Sequence, residues 1–146
     1  MTVAARGLAL VIVVVLTAVS ALAADKGFRR DDLADAAVRL EAQIKAEAGT
    51  VAKPAATLRA DADAAFRRGD ARSGLQILGQ IATVAPQDAG NWLRLAQTIL
   101  QIRPANTSEQ TLFRERASTA AYLAYQRAGN GGEEAQALAV LGQALA

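Results

Sequence analysis

From Asp31 onward, apolar side chains recur at three- and four-residue intervals, and glycine, proline and Asx residues separate the runs. That period belongs to amphipathic helices. Leu33, Ala37, Leu40 and Ile44 predict a first helix, with Asp31 or Asp32 at its cap and Gly49 at its end. Its apolar stripe is narrow and needs a partner, so the helix is expected to pack as a cap on the helices after it. Val51 to Pro54 is a connection, with Pro54 at or near the next first turn, where a missing N–H costs nothing. A second helix is expected over 55–68, a turn at Gly69-Asp70, and a third helix over 71–84 with Leu75, Leu78, Ile81 and Ala82 facing inward. Pro86 closes that unit.

The pattern restarts at Ala89, with Trp92, Leu95, Ala96 and Ile99 on a buried face that stops before Pro104. Pro104 to Gln110 inserts polar residues, Thr107 and Gln110 standing at capping-box spacing. The next helix carries Phe113, Ala117, Ala121, Ala124 and Tyr125. Gly129-Asn130-Gly131-Gly132 is expected to end it by supplying left-handed backbone. A third restart comes at Glu133, with Leu138, Leu141, Gly142 and Leu145 repeating the spacing of Trp92, Leu95, Ala96 and Ile99. At such spacing Trp92 and Tyr125 are expected in the core rather than as binding anchors.

Residues 1–23 obey a different rule. Arg6 gives a positive start, Leu8 to Leu16 is unbroken apolar sequence, and Ala21-Leu22-Ala23 fits a cleavage site, so a signal peptide is expected, with the mature chain starting at Ala24. This predicts a periplasmic or secreted protein with no membrane association after cleavage. Residues 24–54 then form an N-terminal helix and linker, and 55–146 form the repeated part. Alanine dominates the apolar content, and aromatic residues make up only 4% of the chain. Helix is favoured over sheet, and the expected fold class is all-α.

The repeated part resembles the tetratricopeptide repeat, a helix pair with a large apolar residue, a leucine and a small residue, then a Gly-Asp turn and a closing proline. Trp92, Leu95, Ala96 and Ile99 match its first half, as do Leu138, Leu141, Gly142 and Leu145; Gly69, Asp70, Gly74, Leu78 and Pro86 match its second. Two of the three restarts lie 34 residues apart. Asp61 departs from the pattern where leucine is expected, and the Pro104–Gln110 insertion stretches the second unit to about 46 residues without a Gly-Asp turn. An ordinary antiparallel bundle is the competing architecture. The resemblance implies antiparallel helix pairs stacked as a short solenoid. Such a stack generally needs about three repeats and a solvating cap, so the chain is expected to be the N-terminal piece of something longer.

A second resemblance covers nearly the whole mature chain. The leader, the acidic helix from Asp31 to Glu41, Lys53-Pro54, the run from Asn91 to Ala96, and the run from Ala120 to Ala128 resemble the N-terminal helical region of bacterial alpha-2-macroglobulin-like proteins. That family implies a large periplasmic protease trap, and the resemblance brings no inhibitory residue with it.

Composition narrows the chemistry. The chain has no histidine and no cysteine. Nucleophilic triads, thiolate or imidazole metal sites and disulfides are therefore excluded within it. Arg6 is the one charged residue before Ala24, so the mature part holds 15 basic and 14 acidic residues in mixed order. Nucleic-acid binding has no electrostatic basis in that balance. Asp61 and Asp63 are two apart on a predicted helix and point away from each other, so no acid–base pair is expected there; Ala65, Phe66 and Arg72 spoil a calcium loop. No catalytic residue, metal or cofactor is expected.

Binding remains. In the tetratricopeptide arrangement the first helices line a groove, which maps here to Arg59, Asp63, Arg67, Leu93, Gln97, Gln101, Gln136 and Gln143. Polar and partly apolar, this face suits an extended peptide, a protein partner or downstream domains of the same polypeptide. The expected function is a non-catalytic periplasmic scaffold at the start of a macroglobulin-like protease inhibitor. Alternatives are a free-standing periplasmic assembly factor and the helical scaffold of an exported cell-wall enzyme.

Overall fold

The computed structural model describes residues 30–146, and these are all-helical, with no strand. The signal peptide expected over residues 1–23 lies outside the described residues. Six helices succeed one another: α1 (Asp31–Ala48), α2 (Ala55–Arg67), α3 (Ala71–Val84), α4 (Ala89–Gln101), α5 (Thr107–Arg127) and α6 (Gly131–Leu145). None of them is long and apolar enough to cross a membrane.

One capping device starts four of the six. The side chains of Asp70, Asp88, Asn106 and Asn130 accept from the backbone N–H three residues on, at 3.1, 3.1, 2.9 and 3.0 Å. Each satisfies a donor that the helix start leaves orphaned. At α5 and α6 the third residue is a glutamate whose carboxylate reaches back, Glu109 to the Ala105 N–H and Glu133 to the Gly129 N–H. The expected Thr107–Gln110 box is thus replaced by Asn106 and Glu109, one residue earlier. Asp31 and Asp32 do not cap α1; they occupy its first turn, where carboxylates favour the dipole.

Among the described residues, positive φ occurs only at Gly49 and Gly69. Gly49 ends α1, and Gly69 makes the α2–α3 turn, as their positions in the sequence predict. The expectation of left-handed backbone at Gly129, Gly131 and Gly132 is overturned. Here α5 stops at Arg127, Ala128 turns extended, and Asn130 already caps α6, which begins at Gly131 rather than Glu133.

Helices α2 to α6 each pack on the next in chain order, and α4 also meets α6. At the first contact Gly74 is buried beneath the Phe66 ring, where an added Cβ would collide with it. The α1 helix packs on α3 and α5, which do not pack on each other. It buries Leu33, Ala37, Leu40 and Ile44 there and joins the same hydrophobic core as the rest. It thus bridges two helices that have no contact of their own.

Three helices surround the middle of α5, so its burial exceeds a single stripe. Every residue from Ala117 to Tyr125 is buried. Alanine makes this possible by letting neighbours approach closely, and the Ser118 and Thr119 hydroxyls are satisfied within the helix. Ser118 Oγ and Thr119 Oγ1 donate to the Glu115 carbonyl at 3.0 and 2.8 Å.

Two edges of α4 are covered. Asn91 faces α3, its Nδ2 donating to the Leu78 carbonyl at 3.0 Å. Trp92 faces α5, with the Arg127 guanidinium 5.3 Å from the ring centroid. The first edge recurs in α6: Ala137, Leu141 and Ala144 stand 46 residues after Asn91, Leu95 and Thr98 and are buried. The second does not recur as a buried edge. Leu138, Gly142 and Leu145, the counterparts of Trp92, Ala96 and Ile99, are exposed because no described helix covers them.

Candidate interaction surfaces

The predicted groove residues fall into three groups. Arg59 and Asp63, on α2, reach across to α4 and its cap: Arg59 pairs with Asp88 at 2.8 Å, and Asp63 with Arg94 at 2.7 Å. These charges are already engaged. Both pairs are largely solvated, so each contributes only about 0–1 kcal/mol and serves chiefly to align α2 with α4. Arg67 is exposed at the end of α2, and Leu93 is half-buried against the core.

Gln97 and Gln101 form the second group, one turn apart on the exposed side of α4. They line a hollow of about 400 Å³, whose other walls are Phe66, Gly69 and Ala71 from the α2–α3 turn and Arg94 and Thr98 from α4. Arg94 is held there twice, by Asp63 and by the face of Phe66, 4.7 Å from the ring centroid. Its guanidinium is a fixed donor beside two uncommitted amides. Thr98 offers little to a ligand, because its hydroxyl donates to the Arg94 carbonyl at 2.8 Å.

Gln136 and Gln143 form the third group, exposed on α6 and outside this hollow. The structure thus gathers Gln97 and Gln101 at one recess and leaves the α6 pair outside it, on another helix. Phe66 and Arg94 were missed by sequence reasoning. A signal for Arg94 existed: the 34-residue register sets it opposite Ala60, within a turn of Asp63.

The chain matches no protein-family model, no curated protein and no solved structure.

A second hollow, of about 390 Å³, lies on the other side, between the C-terminal half of α1 and parts of α3, α4 and α5. Leu40, Ile44, Leu75, Ile99 and Phe113 give it an apolar floor, while Glu47, Arg72, Glu109 and Arg116 stand around it. Periodicity could not reveal it. The space exists because α1 bridges α3 and α5 without filling the gap between them, which depends on how the helices are placed.

Among the described residues no group of three or more carboxylates gathers as a metal site would require. The Asp70 carboxyl has a structural task instead. Hydrogen bonds from Ser73, first from its side chain and then from its backbone, hold the Asp70 carboxyl below the usual carboxylate range. This is the signature of a helix cap.

Proposed function

We propose that this chain is a non-catalytic, exported scaffold for protein–protein interaction, its helices stacked as a short tetratricopeptide-like solenoid behind a signal peptide. On this reading it forms the N-terminal segment of a bacterial alpha-2-macroglobulin-like protease inhibitor. The observation that carries the scaffold reading is the 46-residue recurrence of one packing edge, from Asn91, Leu95 and Thr98 to Ala137, Leu141 and Ala144. A helix that reuses its neighbour's contacts is how a repeat stack grows.

The binding face is the one bearing Gln97, Gln101, Gln136 and Gln143. Ion pairing of Arg59 and Asp63 sharpens its chemistry. Neutral amides are left to meet the partner, which suits the backbone of an extended segment better than a charged motif.

The test expresses the chain with its own leader in a Gram-negative bacterium and carries photo-crosslinkers at Gln97, Gln101 or, as control, exposed Arg39 on α1. The expected protein is periplasmic, starts at Ala24 by mass spectrometry, and crosslinks one defined partner from both glutamine positions but not from Arg39. Cytoplasmic retention with an intact leader refutes export, and equal crosslinking from Arg39 refutes the face.

A further inference from the structure

The contacts that hold α1 are made far along the chain from it. It packs on α3 and α5 and not on α2, the helix that follows it. Leu33, Ala37, Leu40 and Ile44 are its buried residues, and the groove they occupy lies between two helices with no contact of their own. The ion pairs to α5 run in one sense, acids on α1 and arginines on α5: Glu41 pairs with Arg127, and Glu47 with Arg116 at 3.2 Å. The groove therefore accepts a helix with this apolar spacing and these two acids. The α1 of a second copy meets that description equally well.

What keeps α1 in its own groove is the connection over residues 49–54. Pro54 is extended, with φ −69° and ψ 155°, and its ring steers Lys53 the same way. Gly49 supplies the turn, since its φ of 62° is the only positive one between α1 and α2. Beyond its chain neighbours no heavy atom lies within 4 Å of where a Cβ would stand, so glycine is needed there for its backbone and not for room.

We propose that α1 exchanges between two copies of this chain: residues 49–54 straighten, and each α1 seats between α3 and α5 of the other copy. Both forms bury the same apolar stripe and make the same two ion pairs per seat, so they differ chiefly at the connection and in the entropy of joining two chains. A short tether gives an effective concentration on the order of 1 mM, so the closed monomer holds when dilute and exchange sets in as the protein approaches that range. Gly49 sets the balance. A residue with a Cβ is strained in the closed turn and relaxed in the straight one, twice per dimer.

The test refolds the whole protein over a range of concentrations and reads its mass by size exclusion with light scattering. Wild type is expected as a monomer when dilute, with a dimer that grows with concentration, and Gly49→Val raises the dimerisation constant at least tenfold. To show what is exchanged, one chain carries Glu41→Arg with Glu47→Arg and the other Arg116→Glu with Arg127→Glu. Each alone sets like charges together in its seats, and only exchange in the mixture restores opposite pairs, so co-refolding yields a one-to-one dimer at least tenfold above either variant alone. Where these double variants fail to fold, Glu47→Arg with Arg116→Glu repeats the exchange at the more solvated pair. Monomer throughout for both wild type and Gly49→Val, or a mixture with no more dimer than its components, overturns the proposal. A dimer indifferent to the charge exchange and abolished by Leu145→Glu also overturns it, by giving the contact to the uncovered edge of α6.

Discussion

Replacing Trp92 by alanine tests the helix packing more severely than any other single change. Its side chain is 1% exposed, and the chain has no second tryptophan. The indole Nε1 donates to the Pro86 carbonyl at 2.8 Å, tying α4 to the turn before it. Truncation of a fully buried tryptophan costs about 3–5 kcal/mol, counting lost transfer energy and the cavity left behind. The lost hydrogen bond lies at the lower end of its usual effect, because exposed Pro86 lets water reach the freed carbonyl. Trp92→Phe keeps most of the ring and separates that part, at about 1–2 kcal/mol. A domain of this size has about 5–15 kcal/mol in all, so the alanine variant stands near the limit of folding. Urea unfolding followed by far-ultraviolet circular dichroism reads both variants. A loss under about 1 kcal/mol for Trp92→Ala, at unchanged slope, would show that the indole does not join α4 to α5.

Asn91→Ala removes the amide that ties α4 to the Leu78 carbonyl and should cost about 1–3 kcal/mol by the same urea assay; a neutral outcome would show that the bond does not form. The Asp70 cap predicts a pH effect. Its folded-state pKa is lowered, so its contribution is fully present above the ordinary carboxylate pKa and is lost as pH falls through the depressed value. Asp70→Asn keeps a capping oxygen but removes that dependence, so melting curves from about pH 6 to about pH 2 should converge with wild type at the acid end. Parallel curves throughout would contradict the assignment.

The helices were legible because each has a local cause. Gly49, Gly69-Asp70, Pro86 and the apolar period bound α1 to α4 within a residue or two of where they lie. Less legible was the α5–α6 junction, where four residues rich in glycine invite a left-handed stop. There Asn130 and Glu133 cap so firmly that the helix begins inside the glycine run. The stripe expected on α6 holds only in part, since periodicity marks an edge able to pack and says nothing of whether a neighbour arrives. Of the candidate face, Gln97 and Gln101 were legible as exposed polar positions. Neutralisation of Arg59 and Asp63 was not, because it depends on the offset between α2 and α4.

The position of α1 also sets an order of assembly. Its Glu41 is tied to Arg127, 86 residues further along the chain. A chain delivered from its N-terminus brings α1 first, yet α1 has nowhere complete to lie until α5 arrives. For that interval the stripe of Leu33, Ala37, Leu40 and Ile44 has only α3 to pack on, and the α5 contact that completes its cover joins segments far apart in the chain. First made, α1 waits for α5 to complete its seat, and the chain between them sets how long that wait is.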